Sequence, residues 1–346
     1  MNDKYAHALE HALANWYYCG DNAPTEPVFN ALSLGMKNGM QLLVPIEIPE
    51  AILKQLAEAG DLSEGMTFSL REDVGISFKH IPADEHGHYL IPLFTSEEQL
   101  SMGDAYSSIN QSFDVLLKSL DKWPDCLGFV INPYSNKILI NEGIRDKIAD
   151  FKAKSHVAFV RGSVLDMNVS AIVNSAHRTL LGGKEVDEIL LSEGVELAEA
   201  FLVGGGLNGA IHEAAGIALF NECRELGGCQ EGGAKITNAY DITNADYIIH
   251  VVGPVYGGEE TEERDREILA SCYRSALDLA LENDCDSVAF PCISAGANGY
   301  PIGKAAYVAL VEVIEWFEAH PETVMNVYLC SFTDNEYRNY LNMIKR

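Results

Sequence analysis

Apolar residues near the start of the chain follow a helical spacing. Between residues 5 and 18 they recur every three or four positions, which predicts an amphipathic helix that the turn-rich residues 21–27 end. From residue 41 the pattern changes to short apolar runs of strand length, rich in β-branched and aromatic residues. These runs lie at 42–48, 66–70, 89–94, 127–133 and 137–140. Helices are predicted at 51–59 and 109–120, so the first half is expected to be an α+β domain.

The second half alternates apolar strands with longer helical segments. The predicted strands lie at 157–160, 171–173, 247–253, 287–291 and 324–330. Helices are predicted at 264–282 and 303–319, a rhythm typical of a mostly parallel sheet covered on both faces. Ligands of such α/β sheets bind at the carboxyl ends of the strands. The polar segment 146–155 is the candidate boundary, which predicts domains at 1–150 and 156–346.

Composition and charge exclude several classes of protein. The chain has 346 residues, of which 47% are hydrophobic and 22% charged, and this globular composition excludes disorder as the main state. Its net charge of −27 argues against a nucleic-acid-binding protein, because contacts with phosphates along a duplex need a basic face.

Neither a membrane segment nor a metal site is predicted. No positively charged leader precedes an apolar block, and no apolar run approaches the roughly 18 residues of a membrane span. The eight cysteines form no CxxC pair and no zinc-like spacing with histidine. We therefore expect a cytoplasmic protein with reduced thiols, without a metal or a cofactor.

Two glycine-containing loops suggest an anion site. Gly204, Gly205 and Gly206 precede a helix that is predicted to start near Asn208, and free N–H groups at a helix start favour a phosphate. The alternative is a flexible turn that caps a core helix. A second loop, 293–301, follows the apolar strand at 287–291. Its small residues allow it to wrap a second phosphate, so the two loops together suit a diphosphate.

Polar residues near two other strands have open interpretations. Asn174 follows an apolar strand, where it can hydrogen-bond a sugar hydroxyl or brace a loop. His177 is a general base, a ribose contact or a structural histidine. His250 lies inside an apolar strand, which favours a hydrogen-bonded core histidine.

These segments together resemble the macrodomain family. The resemblance rests on VRGSVLDMNVSAIVNSAH, LVGGGLNGAIHEAAG, AKITNAYDITNADYIIHVVGPVYG and SVAFPCISAGANGYP, which occur in the family's order. It implies a three-layer α/β/α sandwich with ADP-ribose in a cleft between the two glycine loops. Members of the family recognise ADP-ribose or remove it from proteins by hydrolysis, so ADP-ribose or an ADP-ribosylated protein is the implied partner.

The resemblance also assigns ligand-binding positions. They are Gly162, Ser163, Val164, Asn174, Gly204, Gly205, Gly206, Leu207, Asn208, Ser294, Ala295, Gly296, Ala297 and Asn298. Two of them depart from the family pattern. Ser163 replaces an Asp that holds the adenine amino group, and Asn298 replaces an aromatic residue that packs on the distal ribose.

The candidate catalytic residues are His177, Asp187 and Asn208, of which His177 and Asn208 also depart from the family. His177 replaces an Asn that serves catalysis in the hydrolases, and Asn208 aligns with their Asp. The inserted segment 181–201 offers a second register, in which Asp187 falls where that Asp is expected.

Backbone amides can bind a phosphate even when the side chains around it are substituted, whereas hydrolysis depends on the side chains that have changed. Binding is therefore the favoured function. Hydrolysis of the ADP-ribose–protein linkage stays open. So does a non-catalytic scaffold whose macrodomain has lost ADP-ribose.

The first half resembles the SseB family, whose members carry an α+β domain. IPLFTSEEQL at 91–100 and LGFVINPYSNKILI at 127–140 carry this resemblance, which implies an interaction or scaffolding role with a protein partner. Residues 95–98 are predicted to cap a helix, with acidic residues in its first turn. The expected architecture is thus an α+β SseB-like domain followed by an α/β macrodomain.

Overall fold

The computed structural model describes residues 3–20, 23–49, 77–103, 107–181 and 205–344. The strand predicted at 66–70 and the helix predicted at 51–59 lie outside these residues, as do Asp187 and Gly204. The chain divides into two compact units, Met1–Leu13 with Val28–Ala153, and Ala14–Pro27 with Lys154–Arg346. The domain bounds 1–150 and 156–346 stay a prediction.

The first unit combines helices with two small sheets. Strands β1 (Gln41–Glu47), β2 (Ser77–Phe78) and β5 (Ser107–Ser112) form one sheet in the order β2-β1-β5. Strands β3 (Ile81–Pro82), β4 (Tyr89–Leu93), β6 (Cys126–Ile131) and β7 (Ile138–Ile140) form the other, in that order. The helices are α1 (Lys4–Cys19), α2 (Glu26–Lys37), α3 (Glu97–Ser101), α4 (Phe113–Ser119) and α5 (Glu142–Asp150). The first part of α1 belongs to this unit, and α2 crosses the division between the units at residues 27 and 28.

One predicted element of this unit is wrong and another is confirmed. The helix predicted over 109–120 starts only at Phe113, because residues 107–112 pair antiparallel with β1 as a strand. All residues of this strand are exposed or half-buried. The predicted helix cap is confirmed, since Ser96 Oγ accepts a hydrogen bond from the Gln99 N–H at 3.3 Å.

The second unit is built on a six-stranded sheet. Its strands are β8 (His156–Arg161), β9 (Val169–Ser175), β10 (Ala234–Asn238), β11 (Ala245–Val251), β12 (Ser287–Phe290) and β13 (Asn326–Ser331). The spatial order is β10-β11-β9-β12-β13-β8. Strand β10 pairs antiparallel with β11, and the other described pairings of this sheet are parallel.

Helices cover both faces of this sheet. They are α6 (Gly206–Ala215), α7 (Ile217–Leu226), α8 (Glu262–Glu282), α9 (Ile302–Ala319) and α10 (Asp334–Ile344). Val173 of β9 packs in a core with Tyr273 of α8, whereas the adjacent Ile172 packs in a separate core with Ile211 of α6. Alternate residues of one strand therefore face opposite helical layers, which makes the unit a three-layer α/β/α sandwich.

The parallel strands place several connections at one edge of the sheet. The carboxyl ends of β8, β9, β11, β12 and β13 lie along it, and each is followed by a loop. None of the helices in the described ranges combines the length and the apolar character that a bilayer crossing requires.

Candidate ligand-binding site

The loop after β12 presents main-chain N–H groups to solvent. The Tyr300 N–H donates to the Ser294 carbonyl at 3.0 Å, and the Gly299 N–H donates to the Gly296 carbonyl at 2.9 Å. These bonds close a compact loop in which Ser294 has a φ of 61° and Gly299 a φ of 68°. The N–H groups of the exposed Gly296 and Ala297 donate to none of the described residues. Successive free N–H groups of this kind attract an anion.

The end of β11 holds this loop in place. A side chain at Gly253 would overlap Ser294 Oγ and Ile293 Cγ2, so the two backbones approach too closely for a larger residue. Asn298 Nδ2 donates to the Gly253 carbonyl at 3.3 Å, and its own carbonyl accepts from the Tyr256 N–H at 2.9 Å. Asn298 thus ties the loop after β12 to the loop after β11.

The start of α6 offers a second set of N–H groups. Gly205 precedes the helix in an extended conformation, and Gly206 has a φ of 71°, which favours glycine. Both glycines are exposed, and Leu207 and Asn208 follow in the first turn. The first-turn N–H groups of a helix lack intrahelical acceptors, and the helix dipole adds a partial positive charge there. Of the predicted glycine loop, Gly204 lies outside the described residues.

Asn174 braces this helix start rather than facing solvent. Its side chain is fully buried, and its Nδ2 lies 2.8 Å from Asn208 Oδ1 and 3.1 Å from His250 Nδ1. Its Oδ1 accepts no hydrogen bond from the described residues. The sequence left open whether Asn174 contacts a sugar or braces a loop. In the structure its amide braces the start of α6.

His250 is the hydrogen-bonded core histidine that the sequence predicts. It is fully buried, and burial lowers its pKa to about 3, so the ring is neutral near pH 7. Its Nδ1 faces the Asn174 amide, which makes Nδ1 the acceptor. The protonated Nε2 lies 3.0 Å from Thr237 Oγ1.

His250 also belongs to a buried cluster of potential metal ligands. The donor atoms of His212, Cys223 and His250 lie within 4.8 Å of one another. Both ring nitrogens of His250 already face hydrogen-bond partners, and burial raises the pKa of the Cys223 thiol to about 12. Within the described residues, hydrogen bonds connect this cluster to Asn174 and Thr237 through the ring of His250.

The remaining catalytic candidates are not all brought together. His177 is half-buried in the loop after β9, with Nδ1 3.1 Å from Thr179 Oγ1. Asn208 lies in the first turn of α6, as the first register predicts. Asp187 lies outside the described residues, so the two registers stay open.

Gly162, Ser163 and Val164 form a turn at the end of β8. Ser163 caps the 3-10 turn Val164–Asp166, and its Oγ accepts from the Leu165 N–H at 3.2 Å. The Val164 side chain is buried beneath the turn. These three predicted positions therefore lie together, at the outer end of the same edge of the sheet.

Sequence reasoning missed Phe332, which follows β13 directly. Its side chain is 79% exposed, and the preceding Ser331 pairs in register with Arg161 of β8. Phe332 is thus placed beside Gly162. An aromatic residue directly after a strand, at the edge that carries the glycine loops, was the available signal.

Comparison with known proteins identifies the family. Residues 173–309 match the Macro domain family. The chain is 38% identical to the Rattus norvegicus ADP-ribose glycohydrolase MACROD1 over 226 residues, which are 64% of this chain and 74% of that protein. It is 42% identical to the Xenopus laevis ADP-ribose glycohydrolase MACROD2 over 184 residues, 53% of this chain but only 38% of that protein. The mostly parallel sheet, with glycine loops at its carboxyl edge, agrees with these matches. The chain belongs to the macrodomain family.

A solved structure is similar over the same region. The Oceanobacillus iheyensis macrodomain with ADP is 32% identical, with a TM-score of 0.45, and the match covers 54% of this chain and 88% of that one.

We expect Gly253→Ala to disturb the loop after β12. The added methyl group meets Ser294 and Ile293, and overpacking of this kind costs about 1–3 kcal/mol. Urea denaturation should show the loss. Gly296→Ala is the matched control, because a methyl group there meets nothing and the backbone is not strained. Equal stability of the two variants would contradict the close approach.

Acid should destabilise the protein through its buried histidines. Burial lowers the pKa of His250 to about 3 and that of His212 to about 4, against 6.5 for an unfolded histidine. Below pH 6.5 these two histidines therefore bind protons in the unfolded chain but stay neutral in the folded chain. Stability is full above pH 6.5 and falls as the pH drops towards 4, by about 1.4 kcal/mol per pH unit for each histidine.

The contribution of His250 is separable by substitution. Urea denaturation between pH 7.5 and 4.5 should show a shallower pH dependence for His250→Gln than for the wild type. His86→Gln serves as the control, because His86 is exposed. An unchanged slope in His250→Gln would show that this ring is not kept neutral by folding.

Proposed function

We propose that the protein binds ADP-ribose, free or attached to another protein. The observation that carries the proposal is the pairing of β9 with β12, which sets the loop that follows each strand on neighbouring strand ends. One loop exposes the N–H groups of Gly296 and Ala297. The helix α6, which is tied to β9 through Asn174, presents those of Gly206 and Leu207 at its start. Two such groups of donors suit the two phosphates of a diphosphate.

Local geometry must supply the attraction, because the chain as a whole is acidic. A net charge of −27 repels an anionic ligand at long range. Backbone N–H groups and a helix dipole act only over a few ångströms, where salt screens them little. The relatives support this ligand, since MACROD1 and MACROD2 are named ADP-ribose glycohydrolases.

Recognition without turnover is the version that the residues favour. Hydrolysis needs a group that activates water, and the amide of Asn208 cannot take up a proton at neutral pH. His177 and Asp187 remain as candidate catalytic groups. Hydrolysis of the ADP-ribose–protein linkage is the second candidate function, favoured by 38–42% identity to the glycohydrolases.

Titration calorimetry with ADP-ribose tests binding directly. We expect heat with micromolar affinity for the full chain. Gly206→Ala should weaken binding about tenfold, because it strains the helix start that faces the ligand. Gly227→Ala is the matched control: its φ of 69° and its open surroundings resemble those of Gly206, but it ends α7. It should lose similar stability and keep its affinity.

The proposal is contradicted if the wild-type protein gives no heat of binding with ADP-ribose at concentrations up to millimolar. That result would favour the scaffold whose macrodomain has lost this ligand. Equal affinities of Gly206→Ala and Gly227→Ala would remove the helix start from the binding site.

Turnover is tested with mono-ADP-ribosylated proteins that carry Asp/Glu, Ser or Arg linkages. We expect the linkages to stay intact in the presence of the wild-type protein. Release of ADP-ribose that is lost in His177→Ala or Asp187→Ala would establish hydrolysis instead and name the residue. Release that persists in both variants would exclude these two residues from the mechanism.

The first unit is proposed to be an SseB-like domain that binds a protein partner. The support is the resemblance over 91–100 and 127–140, together with the α+β content. Cross-linking of the full chain in cell extracts should join a partner to residues 77–150. Cross-links confined to residues 205–344 would contradict this role.

A further inference from the structure

Helix α9 lies between α8 and α10 in one helical layer of the second unit. Towards α8, Trp316 Nε1 donates to Asp278 Oδ1 at 2.7 Å. Towards α10, Gly303 lies so close to Asn339 that an added side chain would meet its Oδ1 at 3.0 Å. Below, the fully buried Val313 packs in the core that α9 shares with the sheet. Both sides and the base of α9 are thus covered, and its remaining face points to solvent.

The solvent-facing side of α9 carries a row of apolar side chains. Tyr307 is 60% exposed, and Ile314, two turns further along, is 44% exposed. Leu310 and Val311 lie between them and are half-buried. Because residues three or four apart on a helix are neighbours, these four side chains form one continuous strip, which we call the α9 stripe. A contiguous apolar strip on an exposed helix face marks an interaction surface.

Opposite charges stand at the two ends of the α9 stripe. Lys304, one turn before Tyr307, is exposed and pairs with Glu262 of α8 at 2.6 Å. Glu318, one turn after Ile314, is also exposed. Lys304 and Glu318 are separated by about four helical turns, so their side chains project from the same side of α9. The stripe therefore has a cation at one end and a carboxylate at the other.

This arrangement is complementary to itself when two copies of α9 pack antiparallel. A two-fold axis at the midpoint of the α9 stripe places Tyr307 of each copy against Ile314 of the other. The same axis brings Lys304 of each copy to the end where the other copy carries Glu318. Helices that cross at about 20° stay in contact over several turns, and a two-fold interface uses the same patch on both subunits. Apolar positions then meet apolar positions, and each cation meets a carboxylate.

We propose that the α9 stripe is the interface of a homodimer, in which α9 of one copy packs antiparallel on α9 of a second copy. Charge decides between the occupants of this face. A net charge of −27 repels a nucleic acid or an anionic membrane. It also repels a second copy at long range, so the contact is weak and forms at high protein concentration. At short range, the opposite charges at the two ends of the stripe favour the second copy.

Sedimentation equilibrium of the full chain measures this association. We expect a reversible equilibrium between monomer and dimer, with a dissociation constant of about 10–100 μM. Ile314→Ser should raise this constant at least about tenfold, because a symmetric interface loses two apolar side chains at once. Ile217→Ser is the matched control, since Ile217 is 52% exposed on α7, which packs on the opposite face of the sheet. It should leave the dissociation constant unchanged.

Charge reversal tests the antiparallel pairing. Lys304→Glu and Glu318→Lys each place like charges together at both ends of the interface, so each variant alone should dimerise at least about tenfold more weakly. An equimolar mixture of the two variants should restore the dimer, because each cation then meets a carboxylate of the other variant. Glu225→Lys makes the same change of charge on an exposed position of α7 and should leave the dimer intact. Thermal melting shows that each variant is folded.

Three outcomes overturn the inference. A wild type that stays monomeric at about 1 mM leaves the α9 stripe to a different partner. A dimer that persists unchanged in Ile314→Ser has its interface elsewhere. A dimer that is lost in both charge variants, and that their mixture does not restore, is not paired through Lys304 and Glu318. None of these measurements depends on ADP-ribose binding, so the proposed function is tested separately.

Discussion

A buried chain of hydrogen bonds connects the interior of the second unit to the edge of the sheet that carries the glycine loops. It runs from Thr237 through the neutral ring of His250 to the Asn174 amide and on to Asn208 in the first turn of α6. Because His250 and Asn174 are fully buried, each bond is costly to break and the geometry is well defined. The position of the helix start, and hence of the N–H groups in its first turn, is therefore set by the core.

The N–H groups of the loop after β12 are held in place by close packing against β11 rather than by a chain of hydrogen bonds. Gly253 allows the end of β11 to touch Ser294, which is held at a positive φ, and Asn298 bonds across the same gap. Both sets of donors are therefore held by contacts within the chain, and under the proposed function such an arrangement reduces the ordering cost of binding. Such a site tolerates changes in the side chains around it better than a catalytic centre does. The substitutions at Ser163, His177 and Asn298 are of this kind.

The periodicity of hydrophobic residues predicted most of the fold of the second unit. The strands at 157–160, 171–173 and 287–291 and the helix at 264–282 all form, because strand and helix spacing are local properties of the chain. The glycine loops and the core role of His250 were also readable from their neighbours. The strand at 107–112 was not, since pairing with β1 overrode its local preference.

The details of the site were less accessible to sequence reasoning. The burial of Asn174 depends on His250, which is 76 positions away, and the bond from Tyr18 to Asp166 spans 148 positions. No local pattern signals contacts of this separation. The position of Phe332 follows from the sheet order, which places β13 beside β8.

The division of α1 between the two units has a consequence for which fragments of this protein can be studied. The last residues of α1, from Ala14 to Cys19, belong to the second unit although residue 154 and those after it make up most of that unit. A fragment that starts at residue 154 lacks Asn15, which uncovers the main chain of Asn168 and leaves Tyr328 without the amide beside it.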